Sequence, residues 1–300
     1  MGLSLSHFAH CATLEHTDQR EVTMATAPYV PAQFAVPAQF HNQLIQAAGL
    51  VDASAVALSL SQSVLSGIGI NGINSEYKAV TYFIFAKALK TANAVQILCR
   101  TGFGSDGLAL CAVLFENLVD LLYIGASPKR RATRYFQFEN VEKYFQTQKI
   151  LSCARLPKGR RKIYRRYESD LLPQVRPLLK YFPKRAKGWS QKSIYERAKE
   201  IKAGLAYQEL YWIFCAHKHT LPMSAIATTE ITAGDALAIT GPHIKGICDS
   251  VEQSASMLLQ ICMIVDRVFT LSLRPQIETC LVDLSNAVAA LRRDHPVLFS

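Results

Sequence analysis

Residues 104–127 read GSDGLALCAVLFENLVDLLYIGAS, and this stretch decides the fold. It is apolar on nearly every side, and only Glu116, Asn117 and Asp120 interrupt its body. At about 100° per residue those three share a stripe with the small residues Ala109 and Ala112. A helix this apolar is buried on most faces, so its few polar groups need partners inside the protein. Glu116 and Asp120 stand four apart on one face. Buried together, they require one carboxyl to hold its proton or both to pair with arginine. Arg100, at the end of the preceding helix, is the arginine nearest in sequence.

Working outward, Ser75-Glu76 opens a helix that runs to about Cys99 and ends at Gly102. On the other side, Ser127-Pro128 opens a helix over 128–152. Upstream, short helices near 39–49 and 53–67 are expected, stopped by the glycines between Gly67 and Gly72. Downstream, helices are expected near 159–172, 174–181, 191–203 and 205–219. A softer one near 223–239, a long one to about Ser272 and a last one over 276–291 follow. No segment shows the alternation of a half-buried strand. The pattern predicts an all-α multi-helix bundle with a basic middle section and no sheet. Residues 1–38 read as a flexible tail and extended lead-in, carrying the short duplication VPAQFA and VPAQF. Residues 39–300 read as a single helical domain, with a core over 85–222 and C-terminal helices over 223–291.

Charge is concentrated in the middle. Of a net +10, residues 129–202 carry 22 Lys and Arg against 6 Asp and Glu, while the rest of the chain is slightly acidic. Eight scattered cysteines with no C-x-x-C pair point to a reduced, cytoplasmic compartment. The N-terminus shows no basic stretch followed by an apolar core, so no secretory leader is expected. Residues 53–75 lack charge but hold six serines, a poor match to a membrane span, so no membrane partner is expected. Phosphate-loop, dinucleotide, zinc-protease and nucleophile-elbow motifs are all missing, which removes support for those chemistries.

Within the basic region, Arg160, Arg161, Lys162, Arg165 and Arg166 cluster, with Tyr164 and Tyr167 between them. Phosphates need Lys and Arg, and unpaired bases stack on aromatic rings, so RNA or another polyanion is the expected partner. An acidic protein partner and a merely solvated face are the competing readings. Further on stands Cys215-Ala216-His217-Lys218-His219. The two histidines lie about 200° apart on a helix and cannot share one metal, so neither metal nor cofactor is expected. His219 reads either as a hydrogen-bonded helix-end histidine or as a catalytic acid or base.

Two blocks carry a family likeness. The first runs from Ala88 to Tyr144, with Arg100-Thr101-Gly102-Phe103-Gly104, Leu108-Ala109-Leu110 and Leu114-Phe115-Glu116. The second runs from Trp189-Ser190 through Tyr211 to Cys215 and His219. Together they resemble the bacterial domain-of-unknown-function family 5677, which is distantly similar to HEPN-type helical domains. The resemblance implies an all-helical fold and an effector of anti-phage defence or toxin type that binds RNA and cleaves it without metal. It implies Glu116 and His219 as catalytic residues, with Arg100 as a candidate third. Arginine would stabilise the charged phosphorane, and histidine would move a proton on the 2′-OH or the leaving oxygen. The family pattern places arginine where this chain has Ala112. An antitoxin and a second copy of the chain are the partners so implied. The alternative is a non-catalytic interaction scaffold in which Glu116, Asp120 and His219 form a structural polar network.

Overall fold

Helix 104–125 sits where its composition demands, in the middle of a helical bundle. The computed structural model describes residues 38–69, 72–183, 188–219, 221–222, 229–232, 235–238, 243 and 245–295. In chain order the elements are α1 (Ala38–Gly67), α2 (Glu76–Arg100), α3 (Gly104–Gly125), α4 (Pro128–Leu151) and α5 (Lys158–Val175). A 3₁₀ turn (Leu179–Tyr181), α6 (Ile194–Glu200), α7 (Gly204–Ala206), a π-helical turn (Tyr207–Tyr211) and α8 (Trp212–Lys218) follow. Then come β1 (Thr229–Thr232), β2 (Asp235–Ala238), α9 (Ile247–Phe269) and α10 (Arg274–Asp294).

Apolar burial explains the arrangement. Leu114, Leu121 and Ile124 of α3 are fully enclosed, and α3 packs against α2, α8 and α9. Helices α1 and α10 close over α9. The starts of α3 and α9 touch through backbone: the Ser250 hydroxyl donates to the Gly104 carbonyl at 2.6 Å. A Cβ on Gly104 would lie 2.3 Å from the Ile247 nitrogen, so only glycine fits this crossing. By length and composition α3 and residues 49–67 of α1 would each reach across a membrane, but α3 buries most of that length against its neighbours.

The all-helical architecture is as expected, with three local differences. The two short helices expected near 39–49 and 53–67 are one continuous α1. Gly49 within it costs about 1 kcal/mol, which burial of Leu50 and Val51 offsets. The helix expected at 174–181 contracts to the 3₁₀ turn: α5 runs through Pro173 to Val175, and Pro177, with no N–H to donate, follows its end. The segment expected as a soft helix over 223–239 contains instead an antiparallel two-stranded ribbon, paired from Thr229↔Ala238 to Thr232↔Asp235. The β-branched run around Thr229, Ile231 and Thr232 favours extended backbone over helix. No sheet was expected, and this small ribbon is the exception. The expected tail, 1–38, falls almost wholly outside the described residues.

Helices α4 and α5 form an antiparallel arm. Asn140 bonds Gln174 at 3.3 Å near one end, and Arg161 donates to the Leu151 and Cys153 carbonyls at 2.9 and 3.0 Å near the other. Val141, Tyr144, Leu171, Val175 and Phe182 give the arm a small core of its own.

Candidate functional site

The polar stripe of α3 is met by two different elements. At Glu116 the partner is the π-helical turn leading into α8. A π turn inserts an extra residue and rotates the following side chains, a feature frequent at functional sites. Here it brings the Tyr211 hydroxyl to donate to Glu116 Oε1 at 2.6 Å, with Lys218 Nζ at 3.7 Å from the same oxygen. The Tyr211 ring is buried between Phe115 and Tyr207, at centroid distances of 5.2 and 4.9 Å. Tyr207 in turn stacks on the exposed Tyr195 at 5.1 Å. These four rings form a run from the core to the surface. Burial, then the hydrogen bond to the Glu116 carboxylate, holds the Tyr211 phenol protonated well beyond its ordinary range.

One turn further along α3, Asp120 meets α6. Arg197 Nε lies 2.9 Å from Asp120 Oδ1, and both side chains are largely buried. The arginine is fixed from behind, because its Nη1 donates to Ser190 Oγ and to the Lys192 carbonyl, both at 2.9 Å. A capping box between Ser193 and Glu196 sets the start of α6 and thereby the height of Arg197. Burial pushes the Asp120 carboxyl up to about 6. Arg197 and a hydrogen bond from Trp189 pull against that rise, and the Glu116 charge adds to it. Between the two carboxylates, Asn117 Nδ2 is buried without a hydrogen-bond partner.

The residues expected to carry chemistry are dispersed. His219 caps the end of α8, and its side chain is exposed with no partner among the described residues. The groups that reach Glu116 are Tyr211 and Lys218. Arg100 is exposed and pairs with Asp52 of α1 at 3.0 Å. It stands at the far end of α3 from Asp120, some 24 Å away at about 1.5 Å per residue. The arginine that answers Asp120 is therefore Arg197, not Arg100. Ala112 is fully buried, so its position belongs to the core. His217 is partly buried, and that burial lowers its pKa. Among the described residues no group of three or more His, Cys, Asp or Glu could hold a metal ion.

On the arm, Arg160, Lys162, Arg165 and Arg166 are exposed and make no ion pair among the described residues. Arg161 is spent on the end of α4, and Tyr164 is half-buried. Two apolar side chains stand between the cations in solvent, Ile163 and Tyr167.

A sequence profile for a family of unknown function (DUF5677) matches residues 78–231, just over half of the chain. The chain belongs to this family. No curated protein and no solved structure matches it. The DUF5677 segment runs from α2 to β1 and contains both carboxylates, Arg197, Tyr211 and the whole arm. Helices α9 and α10, which complete the core, lie outside it, as does α1. The profile match carries no likeness to HEPN-type domains. Sequence reading of this DUF5677 chain missed Arg197, Trp189 and the hydroxyl of Tyr211 as partners. The available signal was the demand itself: two carboxylates on one face of a largely buried helix need donors, and Trp189, Arg197 and Tyr211 all stand within the second family-like block.

Proposed function

We propose that this protein binds single-stranded RNA through the outer face of α5. The observation that carries the reading is the set Arg160, Lys162, Arg165 and Arg166, exposed without carboxylate partners among the described residues and interleaved with the exposed Ile163 and Tyr167. Unpaired cations attract phosphates by counterion release, and an exposed ring offers a base a stacking surface. A solvated face kept only for solubility would more often mix both signs of charge. An acidic antitoxin or other protein partner would compete for this same face. In a defence or toxin system the chain would be the component that engages RNA.

The test is fluorescence anisotropy on a labelled RNA of about 12 nucleotides, comparing the natural chain with one in which all four cations become Gln. Binding should weaken, and the slope of log affinity against log salt should fall by about 3, from about 0.7 per phosphate contact. An unchanged slope would sink the reading.

The Glu116 geometry favours a second reading of the α3 face, as a structural polar network with no cleavage role. Its carboxylate is already held by Tyr211 and Lys218, while His219 stands apart in solvent. If that is right, Glu116→Gln and His219→Ala leave the fate of bound RNA unchanged in a gel assay. RNA cleaved by the natural chain and spared by either variant would reinstate the catalytic reading.

A further inference from the structure

The first turn of α4 opens onto a cleft of about 680 Å³ lined by Lys129, Arg130, Arg134 and the half-exposed ring of Tyr181; no carboxylate is among its described lining residues, and the nearby Glu76 carboxylate is taken up by the hydroxyl of Thr133 in the wall. A smaller cavity of about 190 Å³ shares Arg130 and Arg134 with it and adds Arg131 and Lys192. Across both, five cations face a single carboxylate, Glu200, which already serves Arg131 and Lys192. The backbone adds to the field. Ser127 makes no side-chain cap and Pro128 has no N–H, which leaves the Lys129 and Arg130 amides without acceptors at the positive end of a long helix. Among the described residues Arg130 is exposed and makes no ion pair, while Arg134, whose Nη2 donates to the Tyr181 carbonyl and whose guanidinium lies over the Phe182 ring, has its buried Nε without a hydrogen-bond partner.

We propose that this cleft holds the terminal phosphate of an RNA strand, with the terminal base against Tyr181. The inference rests on the reading of α5 as an RNA-binding face. A terminal phosphomonoester carries close to two negative charges at neutral pH and three free oxygens, whereas an internal phosphodiester carries one charge. Two cations unpaired among the described residues, Lys129 and Arg130, the open Nε of a third, Arg134, and two open amides match the former. The volume exceeds what a phosphate needs and suits a nucleotide. Geometry links the two sites. The cleft lies at the start of α4, and the basic stretch of α5 packs beside its end, about 30 Å away at 1.5 Å per residue. A stacked strand at about 3.4 Å per nucleotide covers that distance with about nine nucleotides.

The same terminal chemistry occurs at a 5′ end, at a 3′ end and in a free nucleotide, so the experiment separates them. Four ligands are titrated against the full chain: an RNA of about 12 nucleotides with a 5′-phosphate, the same RNA with a 3′-phosphate, the same RNA with hydroxyl ends, and adenosine 5′-monophosphate. Each is repeated with Arg130→Gln, Tyr181→Ala and the fourfold α5 variant, all checked for unchanged helicity. The expected result is about tenfold tighter binding of one phosphorylated end than of the hydroxyl form, lost in Arg130→Gln and reduced in Tyr181→Ala. The fourfold α5 variant should weaken every RNA while preserving that preference. Equal binding of phosphorylated and hydroxyl RNA overturns the cleft proposal and leaves the α5 reading standing. Binding of the mononucleotide alone, sensitive to Arg130, supports the cleft with a free nucleotide as its ligand and removes the α5 reading. No binding of any ligand removes both.

Discussion

Replacing Arg197 by Met tests the electrostatic reasoning about α3 directly. Arg197 faces Asp120 at 2.9 Å and donates to Ser190 and to the Lys192 carbonyl, so the change removes an ion pair and two hydrogen bonds together. Removing one partner of a buried pair costs about 3–5 kcal/mol, and the partial exposure of both side chains here points to the lower end, about 3. That cost should depend on pH. With its carboxyl at about 6, Asp120 is mostly protonated at acid pH and has little to gain from Arg197 there. At pH 5 only the two hydrogen bonds are lost, at about 2 kcal/mol together. At pH 8 Asp120 is ionised in the natural chain; without Arg197, which holds its carboxyl down, it must either keep a buried, unanswered charge or take up a proton, and either adds to the loss.

The natural chain shows the same group from the other side. Because the folded value is raised above the ordinary carboxylate value, folding takes up a proton. Stability from this group is full below about 4 and is lost as pH rises through about 6. The whole contribution is about 3 kcal/mol. Urea unfolding of both chains at pH 5 and pH 8 measures these quantities. A cost for Arg197→Met that is equal at the two pH values, or below about 1 kcal/mol at pH 8, would refute the argument. As an internal check, Asp120→Asn should remove most of the pH dependence in both backgrounds.

Two further outcomes follow from single contacts. Tyr211→Phe keeps the ring among Phe115 and Tyr207 but loses the donor to Glu116, and should cost about 1.5 kcal/mol by urea unfolding. A cost near zero would mean that Lys218 alone satisfies the carboxylate. Gly104→Ala sets a Cβ against the backbone of Ile247 and should lower stability by about 3 kcal/mol or more, read as a fall in the urea midpoint. An unchanged midpoint would show that the α3–α9 crossing can slide apart.

Much of the bundle was legible before any coordinates. Two boundaries follow from single residues: Ser75 caps α2 through the Lys78 amide, and Pro128 starts α4. Each works through local backbone geometry, which a sequence displays openly. The α3 stripe was equally plain, because its polar residues are exceptions in an apolar run. Where tertiary contact overrides local preference the reading failed, as at Gly49, which burial carries through the middle of α1. The ribbon at 229–238 failed for the opposite reason: neither helix nor strand pattern is strong there, and pairing decides.

The partners of the α3 carboxylates mark the division most clearly. By itself the sequence determined that Glu116 and Asp120 would share one face of an apolar helix and, where that face is covered, would need cationic or hydrogen-bonding partners. It could not say which, since helix-to-helix neighbours depend on how α6 and α8 pack against α3, across 77 and 95 residues of chain. Only the tertiary structure decided that Arg197 answers Asp120 and Tyr211 answers Glu116. The same holds for the basic region. Composition announced an excess of cations, but the fold sorted them: Arg161 and Arg131 went to structural carbonyls and Glu200, while Arg160, Lys162, Arg165 and Arg166 on α5 and Arg130 at the α4 cleft stand exposed with no ion pair among the described residues.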